Sequence, residues 1–505
     1  MSAVQHPKRS RLERFAHLPV ELWENILHHT SQPSRMRLSW SNRILRQTTM
    51  NNPRLWIDFD FPAIPDKAWS KPCTCSTTTV SQPISNELRL LNTLARLDAF
   101  LERSQGQPFR VWLNLHRCSL TTTTAQSILR RGNILSRVTL LQVTCWTEDL
   151  YTYLQPVGLS RFTSMKTLLF SCSGGAREPN PMLRIVESGI LNDVVTKVKL
   201  SLVTQWRRSW GPLKAVVQLD IDLLDFHQLL VAMKVMPTVK ILRVYLADNA
   251  MTVRDTHTLV TVLRERLSRL TTLRVDSSEP VLSWMAQEIL ATSTDSTTAA
   301  IRQIGLYGSE YQDGCLRLFS HLSDSITLQL AIITDLTGLN NTTKRLSITA
   351  STATGQSREL RFWLSDVLKD AGWFFRRLLP HLHASQIDHL SIPWTLLQRF
   401  TTASGAMRLT RVRTLILKVP VEQHGAAPER VCPMPMLHSI TFCCDNPSLC
   451  APLPSAAVRS LVMSLCLKRP LDELDVRGLR TRSWDTIERV SLREIAKKVY
   501  GLGFS

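Results

Sequence analysis

The side chains that most often carry out chemistry are thinly spread in this sequence. Cys73 and Cys75 lie one residue apart, as do His381 and His383. A structural zinc site needs a full tetrahedral set of ligands, and no second ligand pair stands beside either of these. The sequence also contains no P-loop, no dinucleotide-binding glycine fingerprint and no HExxH or GxSxG motif. We therefore expect a protein that is not an enzyme and that holds no metal or other cofactor.

Two further pairs of reactive side chains are adjacent in the sequence. His28 and His29 point to different faces of a predicted helix, so they cannot share a metal ion. Cys443 and Cys444 end a predicted strand, and we expect them in the core rather than as nucleophiles. The chemistry that remains is the binding of other molecules by apolar and basic side chains.

Length and composition predict a large folded protein. The chain has 505 residues, of which 44% are hydrophobic and 20% charged, and by length alone it could hold about three domains. It has no apolar run of about 18 residues and no apolar core near its start, so we expect neither a membrane span nor secretion. The 11 cysteines are scattered and odd in number, which favours buried thiols over a disulfide framework. We expect a cytoplasmic and/or nuclear location.

The balance of charge is strongly basic. Lys and Arg number 61 against 41 Asp and Glu, which gives a net charge of +20. Such an excess attracts either nucleic acid or an acidic protein. The basic residues stand singly or in adjacent pairs, without clustered aromatic residues between them, and no nucleic-acid motif spacing is present. We expect an acidic protein partner, and nucleic-acid binding stays open as an alternative.

The side chains best suited to binding a partner lie near the start of the chain. Pro19 is expected at the first position of a helix, where its fixed φ fits and its missing N–H needs no partner. Leu22, Trp23, Ile26 and Leu27 then recur at helical spacing and form one broad apolar face.

A second amphipathic helix follows the first. Pro33 is expected to end the first helix and Ser34 to cap the second. The second helix carries apolar residues from Met36 to Leu45, including Trp40, with arginines between them, and the sequence from Asn51 to Pro53 breaks it. A unit of about 40 residues seldom stabilises a core alone, so its apolar surface needs an outside partner. The alternative is an ordinary helical hairpin that packs on the rest of the chain.

This helical stretch resembles an F-box. The family opens with Leu-Pro-x-Glu-Leu and an Ile-Leu pair, continues with Leu-Ser-x-Val-Cys and a Trp, and closes with Pro-x-Leu-Trp. The opening block is matched by Leu18, Pro19, Glu21, Leu22, Ile26 and Leu27, and the closing block by Pro53, Leu55 and Trp56. In the middle Leu38 and Ser39 match, whereas Ser41 and Asn42 replace Val-Cys and Leu45 stands at the Trp position.

The resemblance implies that this segment binds the adaptor Skp1 and joins a cullin-RING ubiquitin ligase. The residues that would contact the adaptor share an apolar character and come from the opening, middle and closing blocks. They are Leu18, Pro19, Leu22, Trp23, Ile26, Leu27, Leu38, Leu55 and Trp56.

The segment after the F-box-like stretch supports this interpretation. Residues 61–85 hold four prolines and a Ser/Thr cluster, and we interpret them as a linker or long loop. An amphipathic helix is predicted from Asn86, ended by Gly106 and Pro108, and a strand follows from Phe109 to Leu115. This helix and strand resemble the segment that follows the F-box in many fungal F-box proteins.

A short pattern then recurs along the rest of the chain: apolar, two spacers, apolar, one spacer, apolar. Its period-2 ending predicts a short strand in each copy. Weaker copies have their middle residue at Val138, Ile326 and Leu346. The strong copies begin at Met165, Val195, Val216, Val239, Leu270, Ile301, Ile387, Val412, Leu437 and Leu471.

The recurrence resembles divergent leucine-rich repeats. Helix-like segments, such as Thr258 to Leu267 and Asp366 to Leu379, lie between copies, and one strand plus one helix or turn in about 20 to 29 residues is that repeat's layout. Stacked units bury an apolar face that a single unit cannot. The spacing here is irregular, and the repeat's usual Asn or Cys is mostly absent. The alternative is a mixed α/β domain whose strands share this spacing.

These patterns together predict an α/β protein in which a small all-α F-box is followed by an irregular leucine-rich-repeat-like solenoid. The predicted organisation is a disordered N-terminus (1–17), an F-box (18–60), a linker (61–85) and a substrate-binding repeat domain (86–505). The expected function is substrate recognition for a Skp1–cullin–F-box ligase, with an unidentified protein as substrate. Two alternatives are an F-box scaffold that acts outside ubiquitination and a basic repeat protein that binds nucleic acid.

Overall fold

The fold is taken from a computed structural model of the 505-residue chain. It divides into two compact units, Met1–Val239 and Lys240–Ser505. The residues that the structure describes are 18–30, 32–41, 43–61, 83–114, 127, 129–131, 134–145, 162–172, 194–203, 212–223, 226–246, 266–267, 269–276, 301–308, 313–322, 324–337, 341–364, 371–403, 409–419, 431, 433–444, 453–466, 470–479 and 484–501.

The first unit opens with three short helices: α1 (Val20–His29), α2 (Gln32–Ser41) and α3 (Arg43–Asn51). A 3₁₀ turn, Pro53–Trp56, leads from them into strand β1, Asp58–Phe61. Asn52 caps this turn, since its side chain accepts a hydrogen bond of 3.1 Å from the Arg54 N–H. Residues 18–61, which we call the helical module, are therefore joined to the rest of the unit through a strand.

The helix boundaries differ from the predicted ones. Pro19 precedes α1 instead of opening it, and its carbonyl accepts hydrogen bonds from the N–H groups of Leu22 and Trp23. Pro33 lies in the first turn of α2, where its missing N–H needs no partner, so Ser34 is inside that helix and does not cap it. The single helix expected after Ser34 is divided into α2 and α3.

A long helix and a strand follow, as predicted. Helix α4 (Pro83–Arg103) begins three residues before Asn86, and strand β2 spans Phe109–Asn114. The turn between them contains Gly106 at φ +77°, a backbone conformation that glycine adopts without strain. Arg137 fastens this turn, because its guanidinium donates to the carbonyls of Leu101 and Gln107. Residues 62–82, most of the predicted linker, lie outside the described residues, as does the N-terminus 1–17.

The strands of the first unit form a parallel ladder in chain order. Each described strand pairs with the one before it in the sequence. A very short helix, α5 (Ile134–Arg137), precedes β3, and α6 (Phe226–Val235) follows β6. After β2 the strands are β3 (Val138–Cys145), β4 (Thr167–Cys172), β5 (Lys197–Val203) and β6 (Gln218–Leu223).

The recurring apolar residue is what aligns these strands. Pairing brings one apolar side chain from each strand into a single row, and every member of that row is fully buried. A shift of one residue would turn each of these side chains to the opposite face of its strand, so the row sets the register. The row consists of Phe59, Val111, Leu141, Leu168, Val198 and Leu219.

The second unit begins and ends with the same kind of ladder. Strands β7 (Ile241–Leu246), β8 (Thr272–Asp276) and β9 (Gln303–Tyr307) pair in parallel and in chain order. A second parallel series comprises β13 (Ile387–Pro393), β14 (Thr414–Lys418), β15 (Ser439–Cys443), β16 (Leu471–Asp475) and β17 (Ala496–Tyr500). Every strong copy of the predicted pattern therefore lies on a strand of a parallel ladder, whereas β17 was not predicted.

An antiparallel meander is inserted between the two series. Its strands are β10 (Ile326–Thr337), β11 (Asn341–Thr352) and β12 (Ser357–Trp363). Strand β12 pairs in parallel with β9, and β10 pairs in parallel with β13, so the meander fills the place between them. The weak copies at Ile326 and Leu346 are thus two strands of a 12-residue antiparallel pair and not successive repeats.

The meander also places an arginine among the buried apolar side chains of neighbouring strands. Arg358 of β12 stands opposite Ile304, at a position that is apolar in the flanking strands, and it is 1% exposed. Its guanidinium donates hydrogen bonds to the carbonyls of Ile301, Arg302 and Ser357. Burial lowers the pKa of Arg358 to about 10, since desolvation disfavours the charged form.

The described helices of the second unit alternate with its strands along the chain. They are α7 (Asp313–Leu316), α8 (Ala371–His381), α9 (Trp394–Ala403), α10 (Ser455–Leu465) and α11 (Thr486–Arg493), with 3₁₀ turns at Arg317–His321 and Ala384–Gln386. Phe362 of β12, Phe374 and Phe375 of α8 and Phe400 of α9 form a chain of edge-to-face rings 5.2–5.4 Å apart.

The predicted helices between copies are described only in part. Helix α8 begins at Ala371, inside the predicted range from Asp366 to Leu379, while residues 365–370 lie outside the described residues. Of the helix predicted from Thr258 to Leu267, only 266–267 are described. The described residues form a mixed α/β structure with a large sheet, which confirms the predicted class at this level. Among the helices that can be described, none has the length and apolar content needed to cross a bilayer.

The parallel ladder predicts a sharp contrast between neighbouring residues of β14. Leu415→Ala should lower the free energy of unfolding by about 2–5 kcal/mol, because Leu415 is fully buried in the row and leaves a cavity. Ile416→Ala, on the opposite face and half-buried, should cost much less. Urea denaturation of both variants measures the difference, and equal losses would contradict the assigned faces.

Candidate functional site

The helical module is fastened to the first unit by an aromatic cluster. The Trp56 and Phe59 rings each meet the edge or face of Phe100 on α4, at centroid distances of 4.8 and 5.8 Å. Phe59 also stacks on Phe109 of β2 at 6.4 Å. All four rings are at most 2% exposed, so this end of the module belongs to the core of the unit. Aromatic pairs of this kind add about 0.5–1.5 kcal/mol each beyond the area they bury.

Polar contacts orient the same end of the module. The Trp56 Nε1–H donates to the Thr49 carbonyl at 2.6 Å, which ties the 3₁₀ turn to α3. The Arg103 guanidinium lies 4.4 Å from the Trp56 ring centre, in cation–π geometry. On the strand that follows, Asp58 receives two hydrogen bonds from Arg110, at 2.5 and 2.7 Å. These contacts fix the module's attachment in both position and rotation.

Arg35 holds the helices of the module to one another. From α2 its guanidinium donates to the carbonyls of Thr30 and Leu55 at 2.9 Å and to that of His28 at 3.4 Å. The last turn of α1 and the 3₁₀ turn are therefore bound to one side chain. Desolvation lowers the pKa of Arg35, and the attraction of Asp58 opposes that shift. The buried charge is tolerated because carbonyl oxygens replace its water.

The opposite side of the module is open. Val20, Leu22 and Ile26 lie on α1 with 50%, 47% and 41% of their surface exposed. Pro19 is exposed and Leu18 is half-exposed at the start of the same helix. Pro19, Leu22 and Ile26 follow one another three and four residues apart, so they lie on one side of the helix. They form an aliphatic face, which we call the α1 face. An exposed apolar face on a helix so close to the core is typical of a surface that binds another protein.

Four residues predicted to contact a partner lie instead in the module's own core. Trp23 is 7% exposed and Leu27 is fully buried on the inner side of α1. Leu55 and Trp56 are 2% exposed in the 3₁₀ turn. These four side chains are therefore not exposed in the chain by itself, because the sequence pattern shows which residues are apolar but not which side of the helix meets the rest of the chain. Leu38 is half-buried on α2.

Trp40 was not among the predicted contacts, although it is the most exposed of the large apolar side chains that the structure describes in the module. It lies on α2 with 75% of its surface exposed. The sequence placed it among the apolar residues of the second helix and so suggested the core. The sequence did contain one indication that Trp40 is exposed. It stands between Arg37 and Arg43, and a tryptophan between arginines in an amphipathic helix is poorly placed for burial.

The second unit contains a polar cluster around Glu359. Glu359 of β12 accepts hydrogen bonds from Tyr307 at 2.8 Å, Ser347 at 2.9 Å and Arg361 at 2.7 Å. Burial alone would raise the pKa of Glu359, but hydrogen bonds from Arg361, Tyr307 and Ser347 hold it below its usual value. Burial and the Glu359 charge raise the pKa of Tyr307 to about 12. Neither group titrates near neutral pH, so the cluster suits a structural cross-strand contact better than acid–base catalysis.

The histidine and cysteine pairs are also separated by the fold. His381 ends α8 and its Nδ1 lies 3.2 Å from the Ser320 hydroxyl, while His383 adopts φ +46° in the following turn. The two therefore do not pair on a strand, although their spacing in the sequence would allow it. Cys444 is buried, as expected of a core residue, but Cys443 is exposed. Within the described ranges no group of His, Cys, Asp or Glu is arranged to hold a metal ion, and Cys73 and Cys75 lie outside those ranges.

Comparisons with known proteins add no assignment. The sequence matches no protein-family model, and none of the curated proteins compared with it is a match.

The Arg35 contacts predict that α1 depends on one buried side chain. Arg35→Met keeps most of the aliphatic stem but removes three donors, so α1 should open more readily, by about 2 kcal/mol. Hydrogen exchange of the amides in Val20–His29 measures this opening. The control is Arg37→Met, on the exposed side of α2, the helix that carries Arg35. It should leave the exchange of the α1 amides unchanged. Similar exchange in the two variants would contradict the role of Arg35.

Proposed function

We propose that this chain is the substrate-recognition subunit of an SCF-type (Skp1–cullin–F-box) ubiquitin ligase. The helical module binds a Skp1-like adaptor, and the repeat strands bind a target protein. The observation that supports the first half of this proposal is the exposed α1 face, formed by Pro19, Leu22 and Ile26. Pro19, Leu22 and Ile26 are residues through which the F-box resemblance was drawn.

The way the module is attached also favours this function. Its core side, with Trp56 and Phe59, is buried against α4 and β2, so the module is held firmly by the chain that would carry the target. A target bound by the strands of the first unit would then stand in a defined position relative to the adaptor. Ubiquitin transfer by such an assembly depends on proximity, which raises the effective concentration of target lysines near the charged carrier enzyme.

The parallel ladders support the second half of the proposal. Strands that repeat in chain order, each burying the same row of apolar side chains, are the layout of leucine-rich repeats. Such stacked strands present their other face and their connecting loops to partners. The meander β10–β12 departs from that layout and gives the second unit a feature of its own.

Adaptor binding is tested with the full chain. Leu22→Glu combined with Ile26→Glu places two charges on the α1 face and should weaken binding of a purified Skp1-like adaptor at least about 30-fold. Size-exclusion co-elution and interferometry measure the loss. Because both side chains are exposed, the thermal unfolding midpoint should stay unchanged.

The matched control uses exposed apolar residues of another helix. Ile487→Glu with Val490→Glu on α11 introduces the same charges at positions 80% and 51% exposed. This control should retain adaptor binding. If the two double variants bind equally well, or if the unaltered chain does not bind the adaptor, the proposed role of the helical module is wrong.

Ubiquitin transfer separates a ligase subunit from a scaffold. The chain, a Skp1-like adaptor, cullin–RING and a charged carrier enzyme are combined with target proteins captured by the chain. We expect ubiquitin chains on at least one captured protein, and their loss with the Leu22→Glu, Ile26→Glu variant. Adaptor binding without any transfer would favour the scaffold. Salt-sensitive binding to RNA or DNA in place of the adaptor would favour the nucleic-acid alternative.

A further inference from the structure

The α1 face is small for a stable protein interface. Specific complexes bury about 800 Å² on each partner, contributed by about 20–30 residues a side. Val20, Leu22 and Ile26 lie within two turns of one helix, so a partner that binds them must also contact other parts of the module. Among the described residues of the module, Trp40 is the one other large apolar side chain that is exposed.

Trp40 has the features of an interface anchor. Tryptophan and arginine are the side chains most enriched among residues that dominate binding energy. Trp40 lies on a short helix with 75% of its surface in water, a costly arrangement for a side chain of this size. By contrast, Trp56 in the same module is 2% exposed and uses its indole N–H in a hydrogen bond. Trp40 is therefore a large aromatic side chain that the described part of the module leaves mostly in water.

Two arginines flank Trp40. Arg37 precedes it by three residues on α2, a spacing that places the two side chains next to each other on the helix surface, and Arg43 opens α3. Both are exposed. Within the described part of the chain, the side chains of Arg37, Trp40 and Arg43 make no hydrogen bond, ion pair or ring contact. We call Arg37, Trp40 and Arg43 the basic tryptophan patch.

The patch differs from the way other arginines of this unit are used. Arg110 is paired with Asp58, and Arg131 is paired with Asp98. Arg137 donates hydrogen bonds to a carbonyl in the turn after α4. Within the module itself, Arg35 is buried against carbonyl oxygens. Charges that the fold does not use are available to a partner, and complementary charges mainly steer encounter and set specificity.

We propose that the adaptor bound by the helical module presents an acidic surface with an apolar pocket, into which Trp40 inserts while Arg37 and Arg43 pair with carboxylates around it. This inference rests on the proposed function and extends it from the α1 face to α2 and α3. Carboxylates suit the arginines because a guanidinium pairs with them in bidentate geometry.

A nucleic acid fits the patch less well. Helix α1 carries Glu21, which is exposed, and Glu24, which is half-exposed, beside the aliphatic α1 face. A phosphate backbone that followed the module from the patch to α1 would meet two like charges and an apolar surface. An acidic protein that places its carboxylates near the arginines and its apolar side chains against α1 meets neither obstacle.

The experiment measures adaptor affinity of the full chain with three variants. Trp40→Ala should weaken binding at least about 30-fold, the loss typical of a buried interfacial tryptophan. Arg37→Glu with Arg43→Glu should weaken it at least about 10-fold at low salt, and this deficit should shrink as salt screens the carboxylates. All three side chains are exposed, so the thermal unfolding midpoint should not change.

The third variant is a control built on the same chemistry elsewhere. Trp373 on α8 is 40% exposed with the Arg377 guanidinium 5.2 Å from its ring centre, so Trp373→Ala with Arg377→Glu removes a similar pair. Its adaptor affinity should equal that of the unaltered chain.

The outcomes separate this inference from the proposed function. If Leu22→Glu with Ile26→Glu abolishes adaptor binding while the patch variants bind as tightly as the control, the inference is overturned and the proposed function stands. If the unaltered chain binds no adaptor, both are overturned. If the patch variants lose binding to a single-stranded oligonucleotide but keep adaptor binding, the patch serves nucleic acid and the inference is overturned.

Discussion

The attachment of the helical module to the first unit is the contact on which the candidate site depends. Strand β1 continues the parallel ladder, with Phe59 in the buried row, and Trp56 and Phe59 close over Phe100 of α4. Because this side of the module is buried, Trp23 and Leu27 must turn inward with it, and the remaining apolar residues of α1 must turn outward. The packing of this one side thus divides the apolar residues of α1 into a buried set and an exposed set.

The ladders show how a weak repeat can specify a regular structure. Each copy of the pattern contributes only a few buried side chains, and a strand of five residues has little stability alone. In-register pairing places these side chains in continuous rows, so each strand is stabilised by the strand before it and the strand after it. The meander interrupts this scheme, and Arg358 enters the row there because the nearby carbonyls of Ile301 and Arg302 satisfy its guanidinium.

The net charge of +20 has more than one role in the structure. Several arginines serve the fold, since Arg35, Arg137 and Arg358 bind carbonyl oxygens and Arg110 binds Asp58. Others, such as Arg37 and Arg43, have no such use within the described residues. The composition alone could not divide these groups, because burial and hydrogen bonding depend on residues far apart in the sequence. The distinction matters because the proposal of an acidic partner rests on the arginines that make no such contacts within the described residues.

By itself the sequence determined most of the parallel strands: the strong copies of the pattern from Met165 to Leu471 all overlap strands, because alternation of apolar residues is a local property. It also determined that helix α4 leads into β2 and that an apolar helix opens the module. It could not determine that Ile326 and Leu346 belong to antiparallel strands, since pairing direction depends on chain reversal at the turns. It could not distinguish exposed Leu22 and Ile26 from buried Trp23 and Leu27, nor exposed Trp40 from buried Trp56. Only the tertiary structure decided these, because an apolar side chain is core or surface according to what the rest of the chain brings against it.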